Sequence, residues 1–199
     1  MYRIMILTEK RIRELAQTSE LITPFVEKNL QSESYDVTIG NYITVMKKEV
    51  YCLDISKQDG IDRIYQQIEI AKEGYVISPK EYILVSLGET LKLPDDLTAH
   101  LRPKTSYTRL GLLVSSQHCN STYMGHLSIG LFNATDYPIR IHAGFTIAQI
   151  VFEELDGIPA SDKLYQNKQN AHYQNENGEF RGAKFDDRYL ESLWDKILD

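Results

Sequence analysis

The chain has 199 residues and a mass of 23.0 kDa, enough to bury one substantial core. Hydrophobic residues make up 42% and charged residues 25%, which excludes a disordered chain and predicts that most of it folds as one domain. The formal charge of -6 argues against a general nucleic-acid binder and leaves room for a local anion site. Two cysteines, Cys52 and Cys119, cannot build a disulfide framework or a four-cysteine zinc site. The apolar start Met1 to Leu7 turns polar too soon for a signal-peptide core, and no later run reaches a membrane span. A soluble, cytoplasmic protein is the expectation.

In chain order, Thr8 is a helix cap, with Ile12 and Leu15 at helical spacing and an end near Thr18-Ser19. Pro24 marks a second local start. Tyr35 to Gly40 alternates and stops at glycine as a short strand does, and Tyr42 to Val50 reads as its partner strand. Ile61, Ile64, Tyr65 and Ile68 fit one face of a helix closed by Gly74. From Tyr75 the pattern becomes short apolar segments separated by turn residues: Val76-Ile77, Tyr82 to Val85, Leu91 to Pro94 and Leu112 to Val114. Leu127, Ile129 and Leu131 alternate, as do Ile139 and Ile141, and Ile147 to Phe152 is another compact strand. This rhythm predicts a mainly β sandwich or barrel with peripheral helices. Asp156 to Pro159 reads as a turn. Tyr165 to Gly178 is rich in Asn and Gln and in isolation reads as a mobile tail, with Tyr165 and Tyr173 able to close over a ligand. Phe185, Tyr189, Leu193, Trp194 and Ile197 predict a C-terminal helix docked on the body or on a neighbouring subunit.

Chemistry concentrates in Arg102-Pro103-Lys104-Thr105-Ser106-Tyr107-Thr108-Arg109-Leu110-Gly111. Cations and hydroxyls crowded before a glycine suit phosphate, which needs fixed positive charge and directional donors. The same composition also suits a solvated basic turn. Gln117 to Gly125 then brings small polar residues and a glycine, a loop that lets a flat ring approach the backbone. Asn120 can offer an acceptor and two donors to a base edge but is not a general base. His118 can touch phosphate or sit on the surface, and Cys119 reads as packing.

These segments, in this order, resemble the dCTP deaminase branch of the trimeric dUTPase superfamily from about Leu7 to Asp186. Tyr35 to Gly40 resembles its early Asp-Val-Arg-Leu-Gly strand. Lys104 to Gly111 resembles its Arg-Ser-Ser-x-x-Arg-x-Gly phosphate loop. Gly144 to Phe152 resembles its late Gly-x-x-Ile-Ala-Gln-Leu strand, and Tyr165 to Gly178 resembles its closing segment. The resemblance implies a distorted jelly-roll barrel spanning residues 1–180, with 181–199 as a helical extension. It also implies a homotrimer, or a pair of trimers, with nucleotide sites between subunits. Lys104, Thr105, Ser106 and Arg109 would face a triphosphate and its Mg2+, with no zinc. His118 falls where the branch often carries arginine. Tyr165, His172 and Glu176 fall where the tail supplies tyrosine, lysine and glutamine. Gln149 lies in the late strand, where a structural role weighs equally.

The departures from that pattern concern the catalytic acids. Deaminating members carry a proton-shuttling glutamate where this chain has Gly130, and no acid lies between Gly125 and Asn133. A one-residue slip would exchange the Leu127/Ile129/Leu131 face for the opposite one. The dUTPase branch activates water with an aspartate where this chain has Asn120. Lys104 in place of the leading arginine keeps the charge and loses the bidentate fork. The reading is a pyrimidine deoxynucleoside triphosphate pocket with lost or impaired catalysis. The alternatives are an active dCTP deaminase or dUTP pyrophosphatase recruiting another acid, or a purely structural or protein-interaction trimer. For the last, the stretch Ser56 to Gly74 would meet the partner. No direct contact with nucleic acid is expected.

Overall fold

The computed structural model describes residues 5–48, 52–55, 57–177 and 182–185. Helix α1 (Glu9–Thr18) starts after Thr8 as expected, although the Thr8 hydroxyl makes no capping bond, and it buries Ile12 completely. Strands β1 (Ile22–Thr23) and β2 (Tyr35–Met46) come next, then one turn of helix, α2 (Gln58–Asp62), and strand β3 (Tyr65–Glu69). Strands β4 (Tyr75–Ile77), β5 (Tyr82–Lys92) and β6 (Leu97–Pro103) lead to the short helix α3 (Thr105–Leu110). The series closes with β7 (Leu112–Val114), β8 (Gln117–Cys119), β9 (Met124–Asn133), β10 (Ile139–Ile141) and β11 (Thr146–Glu154).

Nine of these strands form one curled sheet with the path β7-β9-β5-β2-β11-β6-β8, while β1 adds to β5 and β3 to β2. A separate pair joins β10 to β4. Strand β5 alternates strictly, and the inward positions of the long strands, among them Ile83, Val85, Leu87, Leu101, Ile129, Leu131, Ile150 and Phe152, are buried. The mainly β barrel with peripheral helices is the architecture the turn spacing predicts.

Two local expectations are corrected. The segments 35–40 and 42–50 are not partners: residues 35–46 are one strand that changes neighbours midway. Residues Tyr35 to Thr38 pair with β11, and Tyr42 to Met46 pair with β3. The change falls at Gly40, where a β-carbon would meet the Ser86 carbonyl oxygen at 2.8 Å and that of Leu87 at 3.0 Å. Glycine stops no strand there; it admits a backbone crossing. The helix expected over Ile61 to Gly74 is α2 followed by β3. Five rungs on β2, from Tyr42↔Glu69 to Met46↔Tyr65, satisfy that backbone, and sheet pairing overrides a short helical spacing. Gly74 still ends a turn, at φ 85. The expected C-terminal helix falls beyond Phe185, outside the described residues.

Beside the Gly40 crossing lies a buried carboxyl. Glu89 is 2% exposed and accepts hydrogen bonds from the Thr38 N–H (2.9 Å) and the Thr38 hydroxyl (3.0 Å). Burial pushes its pKa up, against the pull of those bonds and of His126. A carboxyl whose pKa rises on folding contributes stability that is full below the ordinary carboxylate range and lost as pH rises through the raised value. Glu89→Gln removes the charge and keeps both Thr38 contacts, with its Oε1 accepting from the Thr38 N–H and its amide N–H donating to the Thr38 hydroxyl oxygen. Its unfolding midpoint should exceed that of the parent chain at about pH 8, and the gain should vanish at about pH 4. Thermal melts across that range check the sign.

Candidate functional site

The cation-rich segment is built at the end of β6. Lys104 is the N-cap residue of α3, and Gly111, at φ 89, ends that helix with its N–H bonded to the Thr108 carbonyl at 3.1 Å. Thr105 and Arg109, one turn apart, share a face and are exposed, as is Ser106. Lys104 turns the other way: its Nζ pairs with Asp36 Oδ2 of β2 at 2.5 Å and reaches Thr146 Oγ1 at 3.3 Å. Asp36, 7% exposed, leaves Oδ1 without a hydrogen-bond partner. Gln149 stands opposite Asp36 on one side and Arg102 on the other, so these three share the outward face of the sheet.

A second feature shares no lining residue with α3. A cleft of about 620 Å3, a size suited to a small organic ligand, is lined by tyrosines 65, 82, 123, 165 and 173 together with Met46 and Leu84. Its polar rim includes Gln117, His118, Asn120, Ser128 and Glu176. Among the described residues lining it there is no lysine or arginine, and Glu176, 5% exposed, is the one carboxylate. His118 lies against His100 with ring centroids 4.9 Å apart. Desolvation and that neighbour push its pKa below the ordinary imidazole value, which favours the neutral ring over the cation an arginine would supply. Cys119 is buried, its thiol pushed up to about 12, and it acts as wall.

Tyr82 of that wall lies against Gly130. A β-carbon at that position would meet the Tyr82 hydroxyl oxygen first, with Cζ at 2.7 Å and Cε2 at 2.8 Å, the far end of a side chain that is exposed. The phenol ring of Tyr82 lies over the bare backbone, which is held by Ser115: the Gly130 N–H donates to Ser115 Oγ at 2.8 Å. The Ser115 N–H in turn donates to the Gly130 carbonyl at 2.8 Å.

The tail that reads as mobile is hydrogen-bonded to the chain's own body. Tyr165 N–H donates to the Ser121 carbonyl, Asn175 N–H to that of Met124, and His126 N–H to that of Glu176. Gln174 bridges the same loop, accepting from Met124 N–H and donating to the Thr122 carbonyl. The Asn167 side chain donates instead to the Ser161 carbonyl at 2.8 Å, so these amides serve backbone in more than one place. Further on, Ala183 accepts from Gln58 Nε2 at 2.8 Å and Lys184 pairs with Asp62 at 2.8 Å. In this chain the stretch expected to meet a partner thus grips the tail. Gly125, read as leaving space for a ligand ring, instead leaves space for this tail. At φ 144, its β-carbon would lie 2.8 Å from Glu176 N and 2.9 Å from Glu176 O. Gly125→Ala should therefore cost about 1–3 kcal/mol and expose residues 165–177 to limited proteolysis. An unchanged digestion pattern would show that the docking tolerates a side chain.

The sequence-predicted residues sort into two groups. Lys104, Thr105, Ser106, Arg109 and Gln149 gather around α3 and the outward face of β11, and none of them lines the cleft. His118, Asn120, Tyr165 and Glu176 do line it. His172 stands beside, edge-on to Tyr173 with centroids 6.4 Å apart. The tyrosines at 65, 82 and 123 were missed as site residues. Tyr82 carried a signal: it faces outward from a strand whose neighbours Ile83 and Val85 face inward, and the chain holds 13 tyrosines.

Comparison with known proteins bears on this arrangement. A family model described as dCTP deaminase-like matches residues 6–155. A dUMP-forming dCTP deaminase of Persephonella marina is 32% identical over 154 residues, covering 76% of this chain and 85% of the relative. One from a Sulfurihydrogenibium species is 31% identical over 186 residues, covering 92% and 99%. The crystal structure of the 2'-deoxycytidine 5'-triphosphate deaminase from Agrobacterium tumefaciens superposes with a TM-score of 0.63 at 22% identity. That match covers 76% of this chain and 48% of the solved one, and it speaks for the fold. With the curled sheet, the ordered motifs and this similarity in agreement, the chain belongs to the dCTP deaminase-like family.

Proposed function

We propose that this protein binds a pyrimidine deoxynucleoside triphosphate in sites completed between copies of the chain, with deamination lost or impaired. The observation that carries this reading is the division of the site. The aromatic cleft, without a lysine or arginine in its described lining, suits a base and sugar, whereas the exposed cation and hydroxyls of α3 suit phosphate but stand outside it. A triphosphate in the cleft of one chain would meet no fixed positive charge among the described lining residues. A second copy presenting Thr105, Ser106 and Arg109 would supply it, and the family resemblance makes a trimer the natural closure. Mg2+ fits as a counter-ion carried on the phosphate oxygens. The donors around α3 are hydroxyls and cations, and the nearby Asp36 is already neutralised by Lys104.

Impaired chemistry follows from two residues. Gly130 has no side chain and lies beneath Tyr82, and Asn120 on the rim offers hydrogen bonds without basicity. Loss of a general acid-base group typically lowers a rate by about 10²–10⁴. One observation favours a second reading, an active deaminase or pyrophosphatase: Glu176 brings a carboxylate to the cleft.

Calorimetric titration with dCTP, dUTP and dTTP plus magnesium, with the same mixtures assayed for ammonia, dUMP and pyrophosphate, separates the two. Binding without product is the expected result. Product that disappears in Glu176→Gln would establish the second reading instead. Arg109→Ala should weaken triphosphate binding about 10- to 100-fold, as befits a charge-assisted bond, and leave deoxynucleoside binding unchanged. Equal weakening of both would remove Arg109 from the phosphate site.

A further inference from the structure

Ionisable groups from three strands and the tail meet where β8 reaches the rim of the cleft. His118 of β8 stands opposite His100 of β6, and the two rings lie 4.9 Å apart. Leu101 and Cys119 face the core, so both imidazoles project from the outward face, where His118 is exposed. Beside them stands Glu153 of β11, its Oε1 3.9 Å from His100 Nε2. Arg102, the next outward residue of β6, lies opposite Gln149 and outside this group. The tail brings the remaining charge. Its Tyr165 N–H donates to the Ser121 carbonyl and its Gln166 N–H to the Thr122 hydroxyl, just beyond β8. Lys168 N–H donates back to the Tyr165 carbonyl at 3.2 Å. Lys168 is thereby held between Tyr165 and Asn170, which both line the cleft, with its charge within electrostatic reach of His118. We propose that His118, His100 and Lys168 form a proton-linked subsite for a small oxyanion, a phosphate group or its analogue sulfate, at the rim of the cleft. The subsite draws only on these groups, whether or not a nucleotide occupies the cleft.

Charge balance gives the physical reason. With both rings neutral, one ammonium is offset by one carboxylate, and the group has little to offer an anion. Each proton taken up by an imidazole leaves positive charge in excess. Glu153 is placed to pair with protonated His100, which leaves His118 and Lys168 for an incoming anion. His118 carries its proton at a disadvantage. Desolvation and His100 hold its pKa down most and Lys168 adds to them, against the pull of Asn120 and Glu153. An oxyanion placed among these groups offsets the repulsion between them. It favours the protonated ring, so it raises the pKa of His118 and, by the same linkage, binds more tightly as pH falls through the imidazole range. Lys168 supplies its charge throughout that range.

The test is a titration of the full-length chain with sodium sulfate at constant ionic strength, followed by calorimetry and by the proton NMR signals of the histidine rings. Sulfate keeps its charge over the imidazole range, so any pH dependence belongs to the protein. Sulfate should bind about three- to tenfold more tightly at about pH 5.5 than at about pH 8, and it should raise the pH at which His118 titrates. Lys168→Gln should weaken binding at the lower pH about three- to tenfold, and His118→Asn should remove most of the pH dependence. Circular dichroism checks that both variants fold. A His118 titration that sulfate leaves unmoved, or binding unchanged in both variants, would overturn the subsite. Two sources of the oxyanion are separated with dUTP plus magnesium and with deoxyuridine. Displacement of sulfate by dUTP and not by deoxyuridine would place the ligand's own phosphates in the subsite, whereas sulfate binding undisturbed by dUTP would mark it as a site for a free oxyanion. Sulfate linkage without any nucleotide binding would leave the subsite standing and remove the nucleotide reading alone.

Discussion

Strand β2 belongs to both halves of the curled sheet, and it can do so because its backbone crosses β5 at a residue without a side chain. At Gly40 the approach to the Ser86 and Leu87 carbonyls leaves no room for a β-carbon. Before that point β2 pairs with β11, and after it with β3. Its ladder with β5 shifts register over the same stretch, between Ile39 and Ile43. The shift bends the sheet and closes the apolar interior around Ile83, Val85 and Ile150. Glu89 and Thr38 cross-link the corner from inside. The order of strands, the inward face of β9 and the outward set of Met46, Tyr65 and Tyr82 all follow from that bend.

The same economy of small residues shapes the cleft. Gly125 admits the backbone of the returning tail, and Gly130 admits the ring of Tyr82. In each case the missing side chain is replaced by a group from elsewhere in the chain, so the surface remains well packed. The outcome is a cleft with aromatic walls, a histidine on its rim and one buried carboxylate, to which no residue of the cationic helix α3 contributes. Hydrophobic area and hydrogen-bonding groups are abundant in this cleft, and His118 and Glu176 are the groups of its described lining that exchange protons most readily near neutral pH.

Family membership rests on the match over residues 6–155 and on relatives 32% and 31% identical. The matched span contains every strand of the curled sheet, each held in place by packing and backbone pairing.

Much of the barrel was legible from residue order, because period-2 alternation in β9 and β11 and the turn residues between strands state locally which side is buried. The crowding of cations and hydroxyls from Arg102 to Gly111 and the absence of an acid between Gly125 and Asn133 were equally local facts. Other features were not local. The single long β2 and the strand β3 depend on rungs between distant segments, so a glycine read as a strand end and a four-residue spacing read as a helix both misled. The docked tail was invisible because its backbone and the Gln174 side chain pair with a loop some 50 residues earlier. The separation of α3 from the cleft, and the ring of Tyr82 resting on Gly130, were decided by tertiary structure alone. Sequence determined which chemical groups the chain carries and how its strands alternate; only the curl of the sheet, which fixes distances between remote residues, decided which of those groups meet.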